Sequence, residues 1–171
     1  MLPVTQIPFN IDKEKYLKDF WENYEQESAC LTDGRLRSPK PYFKIIRHTS
    51  FMEEETKRWS ELLDADARAR YYWLKPKRQL WWHTDAGTKC AINFVLNGND
   101  AKVQFSDTGE DLEGPPPEKF SEHEYTAAVL DVTKYHSVPN DSDIPRILFK
   151  VSIFDKSYEE VISQLKNLWK F

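Results

Sequence analysis

Two residues near the middle of the chain, His83 and Asp85, form an H-x-D pair at the end of the aromatic run RQLWWHTDAG. On an extended backbone, residues two apart point to the same face, so one imidazole and one carboxylate converge on one point. A second imidazole brought back from a distant strand would complete a facial set of two His and one carboxylate. Such a set holds a divalent metal and leaves positions open for a co-substrate and O2. Neutral imidazole and carboxylate suit Fe(II), whereas a closed thiolate site would favour zinc. An H-x-D pair alone is a weak signal. Here its context adds weight, with a β-rich run before it, Gly87 just after it and a later His on another expected strand.

Of the other histidines, His136 is the best third ligand. It sits in AAVLDVTKYHSVPND, a strand, turn and second strand, with Asp131 placed to hold the turn through its side chain. His123 lies in the polar stretch SEHE and is expected at the solvated surface, while His48 precedes a helix start and reads as a capping-region or core histidine. Arg146 follows His136 by ten residues, at the head of RILFKVSIF. An Arg inside so apolar a strand needs a partner, because burying an unpaired guanidinium is costly. The carboxylate of a dicarboxylic co-substrate, chelating the metal with its other end, would be a bidentate partner. A surface Arg paired with a nearby acid is the competing reading. The spacing places His136 and Arg146 on successive strands, with residues 139–145 as the hairpin between them.

These residues must be positioned by the elements around them. Residues 12–29 set Tyr16, Leu17, Phe20, Trp21 and Tyr24 at helical spacing. A second helix is expected over about residues 50–64, with Phe51, Trp59, Leu62 and Leu63 towards the core, and YFKII before it reads as a strand. From Arg70 onward, YYWLKP, RQLWWH, CAINFVLNG, KVQFS, YTAAVLDV and RILFKVSIF are short β-rich runs separated by turn residues. Many short strands at this spacing indicate a β-sandwich or barrel. Residues 107–124, acidic and carrying three consecutive prolines, read as a long loop. Ser157 with Glu160 forms a capping box ahead of the stripe Val161, Ile162, Leu165, Leu168 and Trp169. The layout is a single domain over residues 1–171: a helical part to about 69, a β core over about 70–155, and a C-terminal helix over about 157–170.

Composition bounds the function. The chain has 171 residues, enough for one sizeable core, with 40% hydrophobic and 30% charged residues, as in a globular protein. Its net charge of -4 disfavours a nucleic-acid partner, despite a small basic cluster at Lys75, Lys77 and Arg78. Two cysteines, Cys30 and Cys90, are too few and too scattered for a disulfide framework and read as reduced thiols. The first residues lack a signal-peptide pattern, and no apolar run approaches the ~18 residues that mark a membrane span. The expected compartment is the cytoplasm. Oligomeric state is left open.

His83-Thr84-Asp85, His136-Ser137-Val138 and Arg146-Ile147-Leu148 together resemble the H-x-D…H…R signature of Fe(II)/2-oxoglutarate oxygenases with a double-stranded β-helix core. H-x-V-x-N ending at Asn140, followed by R-I-L, is most similar to the aspartyl/asparaginyl β-hydroxylase-like branch, which includes free L-proline hydroxylases. The resemblance covers roughly residues 70–155. It implies a mainly β fold with flanking helices around a jelly-roll, cupin-like core, and it implies Fe(II) and 2-oxoglutarate as cofactors. It further implies metal ligation by His83, Asp85 and His136 and a salt bridge from Arg146 to the distal 2-oxoglutarate carboxylate. Asn93 falls where the family often has a polar co-substrate contact, and Tyr72 is placed to donate to a carboxylate. Where many relatives carry R-x-S, this chain has Leu148, and where relatives in this branch use an additional His it offers Asn93.

On this reading the protein hydroxylates a small amino acid or, second, a peptide side chain, with a nucleic-acid base third. Trp81, Trp82, Tyr135 and the 107–124 loop form walls and lid. Because Trp81 shares parity with His83, it is expected to point into the cavity and Trp82 outward. Two rivals stand beside it. One is a cupin-like metalloenzyme using the same triad without 2-oxoglutarate, with Arg146 on a substrate carboxylate. The other is a non-catalytic β-sandwich binding module.

Overall fold

The computed structural model describes residues 2–26, 29–32, 41–97, 100–108 and 117–171. In chain order the elements are β1 (Val4–Gln6), α1 (Lys13–Glu22), β2 (Ala29–Thr32), β3 (Pro41–Ile46), α2 (Ser50–Leu63), β4 (Ala67–Leu74) and β5 (Arg78–His83). There follow β6 (Cys90–Val95), β7 (Ala101–Ser106), β8 (Ser121–Tyr125), β9 (Ala127–Leu130), β10 (Tyr135–Asn140), β11 (Arg146–Ile153) and α3 (Tyr158–Trp169). The strands form a seven-stranded sheet, ordered β1-β9-β6-β11-β4-β3-β2, and a four-stranded sheet, ordered β5-β10-β7-β8. All pairings are antiparallel. The two sheets face each other as a double-stranded β-helix, a jelly roll with flanking helices.

Strand parity divides the large sheet into two faces. On β11, Ile147, Phe149, Val151 and Ile153 point to the helices, where they join Trp59 and Leu63 of α2 and Val161 and Leu165 of α3 in the main core. The alternate residues, Arg146, Leu148 and Lys150, face the small sheet and line a cavity of about 630 Å³ between the layers. A smaller apolar cluster, including Val95, Val103, Phe105, Leu130 and Leu148, closes the rest of that interlayer space.

The helices start where side-chain caps dictate. Thr49 accepts from the Met52 amide at the start of α2, and Ser157 with Glu160 makes a reciprocal capping box for α3. Replacing Ser157 with Ala is expected to lower stability by about 1 kcal/mol in urea denaturation, with metal binding unchanged.

Several expectations are corrected. Helix α1 is shorter than residues 12–29, and of its stripe only Tyr16 and Phe20 are buried while Trp21 is exposed. Leu168 is likewise exposed on α3. Part of the expected 107–124 loop is strand, since β8 pairs with β7 from Phe105↔Ser121 to Ala101↔Tyr125, while residues 109–116 lie outside the described residues. Most consequentially, His136 and Arg146 are not on a hairpin. Strand β10 pairs with β5 and β7 in the small sheet, whereas β11 pairs with β4 and β6 in the large one. The chain crosses between layers at residues 141–145, so the two side chains approach the cavity from opposite walls. No helix among the described residues is long and apolar enough to cross a membrane.

Candidate metal centre

His83 ends β5, and His136 is its direct partner near the start of β10. Asp85 follows in a turn tied down by its own amide, which donates to the Val132 carbonyl at 3.1 Å. Gly87 completes the turn with φ of 77°, a conformation that favours glycine. Asp131 holds the neighbouring turn, its carboxylate accepting from the Thr133 amide at 3.3 Å. This local chemistry brings one atom each from His83, Asp85 and His136 within 4.8 Å of one another. Nε2 of His83 lies 3.4 Å from Asp85 Oδ1, and Nε2 of His136 lies 3.9 Å from the same oxygen.

The donor set fits a divalent metal. His83 Nδ1 bonds the Trp81 carbonyl, and His136 Nδ1 bonds the Lys134 carbonyl at 2.8 Å. A carbonyl oxygen only accepts, so each Nδ1 carries the proton and each Nε2 turns a lone pair towards the third ligand. Burial, reinforced by the nearby His83, pushes the His136 imidazole down to about 4, so it is neutral at ordinary pH, as a ligand must be. Burial alone would raise the Asp85 carboxyl. The adjacent ammonium of Lys150 outweighs it and holds Asp85 ionised, well below the usual carboxylate range.

Lys150 went unnoticed in the sequence. Its Nζ is paired with Asp85 Oδ2, the oxygen turned away from the two imidazoles, and it sits over the Tyr72 ring at 4.9 Å from the centroid. A signal is present in the sequence: Lys150 shares parity with Arg146 in RILFKVSIF, and a buried ammonium in so apolar a strand needs a partner as much as a guanidinium does.

Arg146 is buried, and its Nη1 donates to the Lys102 carbonyl on β7 at 2.7 Å. His136 pairs with Phe105, so Lys102 lies three residues further along β7, about 10 Å at the usual strand rise. Metal ligands and guanidinium thus address separate ends of one cavity, with Val103, Val138 and Leu148 among the residues of its wall.

Asn93 and Tyr72 both line the cavity from the large sheet. Asn93 is paired in register with Lys150. Its Nδ2 donates to the Tyr125 hydroxyl at 3.1 Å, while its buried Oδ1 has no hydrogen-bond partner among the described residues. Trp81 is 63% exposed at the cavity rim rather than pointing inward. The register between β5 and β10 shifts between His136↔His83 and Val138↔Leu80, a bulge that puts Leu80, not Trp81, on the face of His83. Tyr135 is absent from the cavity wall. It lies on the outer face of the small sheet, stacked on Trp82 with ring centroids 5.5 Å apart. His123 accompanies Ser121 on β8, 3.0 Å away, and His48 is exposed.

No family model matches the chain, and no curated protein matches its sequence. Solved structures do share its architecture. The non-heme α-ketoglutarate-dependent epimerase SnoN from nogalamycin biosynthesis is 12% identical, with 90% of this chain and 78% of that one covered at a TM-score of 0.61. SnoN has also been solved in complex with Fe3+, α-ketoglutarate and nogalamycin RO, with 79% of that chain covered at the same identity and TM-score. A Pseudomonas putida prolyl-4-hydroxylase is 10% identical over 91% of this chain and 94% of that one, with a TM-score of 0.55. A prolyl hydroxylase from Trichoplax adhaerens, bound to a hypoxia inducible factor oxygen degradation domain peptide fragment, is 12% identical over 94% and 85%, with a TM-score of 0.57. The chain therefore shares its fold with a non-heme α-ketoglutarate-dependent epimerase and with prolyl hydroxylases.

Proposed function

We propose that the protein is a non-haem Fe(II)- and 2-oxoglutarate-dependent oxygenase hydroxylating a small amino acid or a peptide side chain, within the aspartyl/asparaginyl β-hydroxylase-like branch that its motifs resemble. One observation carries the reading: two imidazoles and one carboxylate converge at one end of a cavity whose other end holds a buried guanidinium. His83, Asp85 and His136 would hold Fe(II). When bound, Fe(II) with 2-oxoglutarate and O2 supplies the oxidising power for C–H hydroxylation, with succinate and CO2 as co-products.

The chain's own residues supply position and shelter. Arg146 receives the distal carboxylate of 2-oxoglutarate in a planar, bidentate fashion. Asn93 contributes a further polar contact: a half-turn of its amide lets Oδ1 accept from Tyr125 and presents Nδ2 to a carboxylate. Tyr72 forms the wall beside it. Leu80, Val103, Val138 and Leu148 exclude water around the reacting atoms. Trp81, at the rim beside His83, meets the substrate as it enters, and Tyr135 supports that rim from behind through Trp82. The prolyl hydroxylases of like fold make free proline and prolyl peptides the first substrates to test.

The test loads the protein with Fe(II) and follows succinate formation from 2-oxoglutarate across a library of amino acids and short peptides. The expected result is O2-dependent succinate formation stimulated by one substrate class. A protein that binds metal yet leaves 2-oxoglutarate intact is the cupin-type enzyme, and one that binds no divalent metal is a binding module.

A further inference from the structure

Lys150 is a charge that the reading above does not use. It lies in the interior with its side chain 10% exposed, and among the described residues lining the cavity the only carboxylate is Asp85. An ammonium has three N–H donors. One is taken by Asp85 Oδ2, and the Tyr72 ring faces the group from a second side. When a dication takes Asp85 Oδ1, one carboxylate is shared between the metal and Lys150. A buried cation with a shared counter-charge is costly unless a further anion lies beside it. The place for that anion is next to the metal.

Arg146 and Lys150 stand on the same face of β11, four residues and about 13 Å apart along the strand, with Leu148 between them. The guanidinium turns to the far end, on the Lys102 carbonyl, while the ammonium is committed to the metal end. The two cations bracket an apolar stretch, which matches a ligand carrying a carboxylate at each end of a short aliphatic chain. Resting on the reading of the site as a 2-oxoglutarate site, the geometry points to Lys150 as a residue that bridges Asp85 to the metal-proximal carboxylate of a 2-oxoacid, leaving Arg146 for the distal one.

This division of labour is separable by binding alone. The full-length protein is saturated with Mn(II) and titrated calorimetrically with 2-oxoglutarate and with pyruvate, which lacks the distal carboxylate. Lys150→Met is expected to weaken both oxoacids by a similar factor, roughly 10- to 100-fold for the loss of a charge-assisted hydrogen bond. Arg146→Met is expected to weaken 2-oxoglutarate alone, down to the level of pyruvate. Lys150→Gln keeps a donor without the charge and falls between wild type and Lys150→Met, and it serves as the test if the Met variant does not fold. Wild-type affinity for both oxoacids in these Lys150 variants would overturn the bridging role and leave Lys150 as a structural partner of Asp85. A Mn(II)-loaded wild type that does not bind 2-oxoglutarate overturns the co-substrate reading itself, and the bridge with it.

Discussion

Asp85→Ala is expected to do two things at once: abolish divalent-metal binding and lower the stability of the metal-free protein by about 3–5 kcal/mol. The first effect follows from losing the one anionic ligand. The second follows from Lys150, whose buried ammonium is left without its counter-charge. For a chain of this size the melting temperature falls by about 2–4 °C per kcal/mol, so a drop of roughly 6–20 °C is expected by calorimetry in chelator. The double variant Asp85→Ala/Lys150→Met removes both charges and should recover most of the loss. A single variant that melts with wild type would show that the pair is not what holds this end of the sandwich. The pH dependence has a definite sign. Because the folded Asp85 carboxyl lies far below its unfolded value near ~3.9, its contribution is present above about pH 4 and is lost as pH falls further. Because Lys150 is raised by Asp85 in spite of its burial, its part is present below about pH 10 and is lost as pH rises through the folded value.

His136→Ala separates metal loss from charge loss. The imidazole is buried and neutral, packed against Phe105 and His83 with ring centroids 5.6 and 4.4 Å away. Its removal leaves a small void and no orphaned ion, so a stability loss of about 1–3 kcal/mol is expected. Metal affinity should fall by more than the ~100-fold typical of disturbing a residue behind a ligand, and 2-oxoglutarate turnover should disappear with it. Isothermal titration with Mn(II) measures the first and succinate formation the second. His123→Ala is the control and should leave both unchanged. If His136→Ala bound Mn(II) as wild type does, the metal would have to sit elsewhere.

The sequence was most legible where residue type and short-range spacing act together. The H-x-D pair needed only a strand end to converge, and the capping box at Ser157 and the strand pattern from Arg70 onward are equally local, although β4 begins three residues earlier at Ala67. What it hid was non-local. Trp81 departs from the parity of His83 because a one-residue bulge resets the alternation opposite Ser137, and no pattern in RQLWWH announces that bulge. Tyr135, expected on the cavity wall, is the strand neighbour of His136 and so faces the opposite way. The expected hairpin between His136 and Arg146 is instead a crossing from one sheet to the other, which only the partner strands decide. Lys150 was legible and overlooked, since a charge two residues beyond Leu148 in an apolar strand poses the same burial problem as Arg146.

The main apolar core lies between the large sheet and the helices rather than inside the jelly roll. A sandwich stabilised from its back can leave its front hollow. Leu80 and Val138, half-buried on the cavity wall and outside both apolar clusters, can then be exchanged to suit a new ligand at smaller cost to folding than the buried Val103 and Leu148. Among the described residues of the cavity, the Asp85–Lys150 pair ties chemistry and folding together most tightly. It is the point at which drift in specificity would meet resistance from the fold.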